Sequence, residues 1–345
     1  MVRKWIDQFG WPRLLIALFL VALFILAPFV GVRIDSSIND TLVRFGQNGV
    51  LVLAMVPMIQ SGCGLNFGLP LGIIAGLLGA ITSLELNTHG LVGILTAMAI
   101  ATPLAVIFGW LYGQLLNRVK GEEMMIATYV GFSSVALMCI MWLVLPYKSP
   151  EMVWGYAGQG LRTTISVEKF WQHAIGSIGS FEVNRFLTVQ TGMFLFFALL
   201  CFLMWLFLRT RTGTAMTTVG SNPDYARASG VNIDRMRTLS VILSTVLGAW
   251  GIIIYEQSFG FIQLYMGPFY MAFPAVAAIL IGGASVKKAS ITNVIVGTIL
   301  FQGILTMTPS VINSMIQTDM SEVIRIIVSN GMILYALTRV TKVKS

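Results

Sequence analysis

The sequence predicts an all-α polytopic membrane protein with about ten transmembrane helices and both termini in the cytoplasm. Three observations predict it. Only 10% of the 345 residues are charged while 56% are hydrophobic, against about 25% charged in an average soluble domain. The apolar residues gather into runs free of Asp, Glu, Lys and Arg: Leu14–Val32, Phe45–Leu84, Gly90–Asn117, Met124–Tyr147, Phe186–Leu208, Thr238–Tyr255, Gln257–Val286 and Ala289–Thr318. A spanning helix needs about 20 such residues. Lipid leaves only helices or closed barrels as ways to satisfy the backbone, and the runs lack the period-two alternation of barrel strands. The third observation is the placement of basic residues, taken up below.

The spans follow in order. The first, near 14–32, is too long for a removable signal and lacks a small-residue cleavage site, so it reads as a retained anchor. The polar stretch Gln60–Asn66 divides the second run into spans near 47–61 and 68–84. Spans near 90–115 and 124–146 lead to a mixed-charge external loop, 147–187, that carries Trp154, Trp171 and His173. A sixth span near 188–208 precedes a polar stretch, 209–237, and a seventh span near 238–256. Gly267-Pro268 marks the start of an eighth, 268–283, because proline is tolerated at the first helical position. The last two lie near 290–308 and 321–338, the tenth with Glu322 and Arg325 in its first turn. Residues 1–345 thus read as a single transmembrane domain.

The ten-span path sorts the basic residues by side. With the N-terminus inside, the cytoplasmic face receives Arg3, Lys4, Arg13, Arg118, Lys120, Arg209, Arg211, Arg227, Arg235, Arg237, Lys287, Lys288, Arg339, Lys342 and Lys344, fifteen of the 22 Lys and Arg. The net charge of +8 then reflects topology and anionic headgroups, not nucleic acid. Cys63, Cys139 and Cys201 lie in or beside apolar spans, which indicates no disulfide framework. There is no phosphate loop ending in Gly-Lys-Ser/Thr and no His-Glu-x-x-His. No catalytic set, metal site or bound cofactor is expected, and any energy must come from a partner or an ion gradient.

The segment "VGSNPDYARASGVNIDRMR", 219–237, is unusually polar for this chain. Asn222-Pro223-Asp224 is a helix-start signal and Gly230 a stop, which predicts a two-turn helix over Pro223–Ser229, with Asn232 and Asp234 capping the next span. So short a helix needs packing to hold it. The order around it is an apolar span, Arg209-Thr-Arg-Thr-Gly213, Ala215, Val219-Gly220-x-Asn222, then Ala226-x-x-x-Gly230-Val-Asn-Ile. This resembles the ATPase-coupling loop of the ribose and branched-chain amino-acid permease family of bacterial ABC importers. Ala275-Val-Ala-Ala-x-x-Ile-Gly-Gly-Ala-Ser285 resembles a later stretch of the same family. The resemblance is best over 205–305; before that it extends only to hydropathy and span order.

The resemblance implies a permease subunit of the bacterial inner membrane, not an enzyme. Its partners would be an ABC ATPase that uses ATP, a second permease subunit, and an extracytoplasmic substrate-binding protein. Gly220, Asn222, Pro223, Asp224, Ala226, Arg227 and Gly230 would form the ATPase-coupling element. Asp224 and Arg227 would make rim contacts, Ala226 would suit a tight groove on the ATPase, and Gly220 and Gly230 would supply turns.

A substrate path is expected along Gln60, Ser61 and Asn66, since uncharged polar groups within a membrane run usually face a bundle interior or wet cavity and Pro70 suggests a broken helix. Gly64, Gly68, Gly72, Gly76 and Ala80 stand at four-residue spacing, the pattern of close helix packing. Sugar permeases often carry G-I-D-L-S-V-G here and nucleoside permeases N-I-G-x-E-G. Gly64-Leu-Asn-Phe-Gly-Leu-Pro70 matches neither, and Val286-Lys-Lys-Ala289 replaces family glycines after Ser285. Sugar or nucleoside is the favoured substrate class, with branched-chain amino acids as the alternative. A gradient-driven carrier would normally place charged coupling groups mid-membrane, and only Glu85 and Glu256, both at span ends, approach that.

Overall fold

The computed structural model describes residues 11–154, 160–184, 187–316 and 320–342. Arg3, Lys4 and Lys344 lie outside the described residues, as do the side chains of Arg339 and Lys342. The helices are α1 (Trp11–Leu26), α2 (Ile34–Leu53), α3 (Met55–Gln60), α4 (Leu69–Glu85), α5 (Gly90–Arg118), α6 (Glu123–Val144) and α7 (Thr191–Arg209). They continue as α8 (Arg211–Ser221), α9 (Pro223–Ala228), α10 (Ile233–Phe259), α11 (Gly267–Ile281), α12 (Ile291–Ile316) and α13 (Ser321–Lys342). Short strands β1 (Thr164–Ser166), β2 (Phe181–Asn184), β3 (Leu187–Val189) and β4 (Phe261–Gln263) complete the order.

The molecule is an all-α polytopic membrane protein. A helix lies at each of the ten expected spans. Among the described residues, seven helical segments are long and apolar enough to cross a membrane. The other three are α4 with 17 residues, α11 with 15, and α13, whose first turns carry charge.

The connections fall into two layers. At one end Arg13 donates to the Gly283 carbonyl at 2.8 Å, the Gln60 amide donates to the Ala289 carbonyl, and Lys120 pairs with Asp234 at 2.6 Å. At the other, Thr188 N–H donates to Asn39 Oδ1 at 3.1 Å, Ser149 N–H donates to Glu85 at 3.0 Å, and Ser314 donates to the Val30 carbonyl. Successive helical passes therefore run from one layer to the other.

Helix α10 is the axis of the bundle and packs on α2, α4 and α5. Small residues make this possible. A Cβ on Gly251 would stand 2.8 Å from the Leu51 side chain, and one on Gly248 2.8 Å from that of Leu69. Helices α1 and α7 instead present Leu15, Leu18, Val21, Leu195, Leu199 and Phe202 outward, as a lipid-facing surface should.

Three features differ from the expected path. The second span begins at Ile34 and includes Asp35, Asp40 and Arg44 in its outer turns, because charge near a helix end can reach the interface. The external loop is partly ordered by strands: β1 pairs antiparallel with β4, placing Ile165 opposite Ile262, both buried. The polar stretch 209–237 holds a second helix, α8.

Candidate functional site

The coupling segment is built from local caps. Thr210 Oγ1 accepts from Gly213 N–H at 3.2 Å to start α8. Asn222 Oδ1 accepts from Tyr225 N–H at 3.0 Å to start α9, with Pro223 at the first helical position. The helix closes through two bonds, Gly230 N–H to the Arg227 carbonyl and Val231 N–H to the Ala226 carbonyl, both 3.0 Å. Gly230 has φ 78°. This is a Schellman ending, which needs a left-handed residue at that place. Asn232 Oδ1 then accepts from Arg235 N–H at 2.9 Å and begins α10. The helix starts of the segment are thus fixed by its own side chains and the end of α9 by its own backbone.

Helix α9 is six residues long and has one inward side chain. Ala226 is fully buried, as are Met216 and Val219 of α8, the helix that α9 packs against. Asn222, Pro223, Asp224, Tyr225, Arg227 and Gly230 are exposed. Asp224 and Arg227 pair at 3.6 Å across the outer surface, a contact of little energetic weight at that exposure.

Below the segment lies a break in the membrane helices. Helix α3 ends at Gln60, and the chain turns through 61–68 before α4. Ser61 Oγ meets Ser240 Oγ of α10 at 2.6 Å. Asn66 Nδ2 donates to Ser244 Oγ at 2.7 Å, and Asn66 Oδ1 accepts from the Tyr112 hydroxyl at 3.3 Å. Ser244 in turn donates to the Ala54 carbonyl at 2.6 Å, serving the backbone between α2 and α3 as broken membrane helices require. Ser61 and Asn66 are buried, and Gln60 is half-buried. The structure brings these three polar residues together against α10 and the turn before α12.

The glycine series divides in two. Gly64 lies in the turn with φ 81°, and Gly68 precedes α4, where a Cβ would stand 2.5 Å from Tyr112. Gly72 and Gly76 face α10: added Cβ atoms would stand 2.6 Å from the Thr245 carbonyl oxygen and 2.5 Å from that of Ala249.

The family described as the branched-chain amino acid transport system permease component matches residues 37–336. The chain belongs to this permease family. Over 126 residues the permease is 29% identical to a galactose/methyl galactoside import permease protein of Haemophilus influenzae, covering 36% of this chain and 35% of that one. Over 231 residues it is 22% identical to a nucleoside ABC transporter permease protein of Lactococcus lactis subsp. cremoris, covering 64% and 60%. Less than two-thirds of the length of either relative is thus spanned. No solved structure shows a significant match. The permease is a multi-pass inner-membrane protein, on its apolar helices and its family.

Two roles read from the sequence differ in the permease. Ala226 points into its own chain, so a large side chain there would lift α9 off α8 and would not fill a groove on another protein. Gly220 is not a turn. It lies within α8, where a Cβ would strike the Gln60 carbonyl, and its smallness serves backbone contact.

Sequence reasoning passed over Tyr225, the only aromatic residue in 209–237 and 63% exposed; that singularity was the available signal. The buried ion pair between Arg237 and Glu123, at 2.6 Å, had no local signal.

Proposed function

We propose that the permease is the membrane subunit of a binding-protein-dependent ABC importer. It moves a small polar solute, a sugar or nucleoside, into the cytoplasm, using ATP hydrolysed by a partner ATPase. A second permease subunit and an extracytoplasmic binding protein complete the assembly, and this chain binds no cofactor. The observation that carries the reading is α9: a rigidly capped two-turn helix, exposed on its outer face, tethered at both ends to the bundle. Such an element suits passing a rigid-body displacement. The galactoside and nucleoside permeases among its relatives support the solute class; the family description supports branched-chain amino acids as the second choice.

The test is capture of the ATPase. Tyr225→Ala removes the largest exposed apolar group on α9 and should weaken ATPase capture by about 2 kcal/mol, roughly thirtyfold, the loss typical of an interfacial aromatic anchor. Uptake in reconstituted vesicles should require both ATPase and ATP. Glu256 gives a gradient-driven carrier its one supporting observation, since it is buried and neither carboxylate oxygen has a hydrogen-bond partner among the described residues. Uptake that persists without ATPase and collapses with an ionophore would establish that rival.

Sidedness has its own test. In a background lacking the three native cysteines, Ser180→Cys should react with an impermeant thiol reagent in intact cells. Ala228→Cys should react only once the membrane is opened. Both residues are exposed, so only the membrane decides the outcome, and labelling of position 228 from outside would overturn the orientation.

A further inference from the structure

If α9 receives the push of an ATPase, as proposed above, that push must leave the segment through rigid contacts. Two routes lead out. One runs along the chain into α10, whose first turn is tied to the α5–α6 turn by Lys120–Asp234 and by Asn117 Nδ2 donating to the Asp234 carbonyl at 2.9 Å. Lys120 and Asp234 are half-exposed, with long or mobile side chains between the backbones.

The other route runs through α8 and has no side chain in it. Gly62 stands just past the end of α3 with φ 78°. A Cβ built on it would lie 3.0 Å from the Cα of Gly220. A Cβ built on Gly220 would strike the Gln60 carbonyl and stand 2.8 Å from Gly62 N. The two main chains therefore touch directly: a methyl group on Gly220 would clash outright, and one on Gly62 would push against the Gly220 backbone.

Contact through side chains can be absorbed by rotamer change; contact between two backbones cannot. The two residues just before Gly62 are also held: Gln60 by its bond to the Ala289 carbonyl and Ser61 by Ser240. Gly230 makes the contrast. It also has positive φ, but nothing lies within 4 Å of a Cβ added there, so it serves the turn alone.

We propose that the Gly62–Gly220 contact is the point at which the coupling segment acts on the membrane domain. Helix α8 bears on the backbone of the break and moves Gln60–Gly68 relative to α10. Gly62 and Gly220 are positioning residues; neither touches solute or nucleotide.

Gly220→Ala tests this in the assembled transporter. The exposed face of α9 is unchanged, so ATPase capture should stay at the wild-type level. ATP hydrolysed per solute imported should rise severalfold, because α8 stands off from the break. Gly62→Ala should do the same from the opposite side. A merely structural role would lower the amount of assembled transporter and leave that ratio untouched. An unchanged ratio in both variants would overturn the proposal.

Amide hydrogen exchange on the wild-type complex gives an answer that does not depend on either variant folding. Binding of a non-hydrolysable ATP analogue should change exchange over 58–66 and 213–222 together. A change in 213–222 alone would send the displacement through α10. Should the wild-type permease capture no ATPase at all, the coupling reading itself would fall, a result distinct from either of these.

Discussion

Gly76→Leu and Gly72→Leu should each leave almost no assembled permease in the membrane. The cause is backbone against backbone. On α4, a Cβ at Gly72 stands 2.6 Å from the carbonyl oxygen of Thr245 and 3.1 Å from its Cα. At Gly76 it stands 2.5 Å from the Ala249 carbonyl oxygen and 3.0 Å from the Ala249 Cα. Overpacking a core costs about 1–3 kcal/mol where side chains can shift. Here the obstacle is main chain of α10, which also carries the packing of α2 and α5, so relief at one contact disturbs the others. Leucine then adds three more carbons with nowhere to go. Gly331→Leu is the control, since nothing lies within 4 Å of a Cβ there. Fluorescence-detected size exclusion of the solubilised variants reads the result. A normal monodisperse peak from both α4 variants would show that α4 and α10 can separate without loss.

Much of this fold was legible because lipid makes sequence say plainly where helices are. A charge-free run of 20 residues has few other destinations. The caps were legible as well: Asn222-Pro223-Asp224 and Gly230 act within four residues of themselves, and the structure ends α9 within one residue of the expected place. Helix α8 was not, since "RTGTAMTTVGS" is rich in threonine and glycine, weak helix formers. It forms because Met216 and Val219, three residues apart, share a buried face. The direction of Ala226 was illegible for a related reason: two turns are too few to define an inner and an outer stripe. Pairings such as Ile165 with Ile262 or Ser61 with Ser240 join residues far apart in the chain, and no local pattern announces them. The polar stretch Gln60–Asn66 announces a division of the second run, and the structure breaks at 61–68; that Ser61 and Asn66 bond to α10 has no local signal.

Glu123→Ala should destabilise the permease by about 3–5 kcal/mol, the usual cost of stranding one member of a buried ion pair. From the sequence, Arg237 counts only as a marker of the cytoplasmic side. In the structure its Nη2 donates to Glu123 Oε1 at 2.6 Å, and the two side chains are only 10% and 16% exposed. Its bond to the Leu116 carbonyl is long, at 3.5 Å, the Cys63 side chain beside it is an uncharged thiol, and Nε has no partner among the described residues. Without Glu123 the guanidinium keeps its charge with almost nothing to answer it. The pair Lys120–Asp234 has the same 2.6 Å separation but is about half exposed, so Asp234→Ala should cost no more than about 1 kcal/mol. Removing both buried charges, as in Glu123→Leu with Arg237→Met, should restore most of the loss, because well-packed apolar replacements of a buried pair are often neutral. Equilibrium unfolding of the solubilised protein, followed by tryptophan fluorescence, measures all three. The decisive quantity is the recovery on going from the single variant to the double one: a double variant as unstable as Glu123→Ala would mean that the glutamate matters for its packing, and that the charge on Arg237 is answered elsewhere.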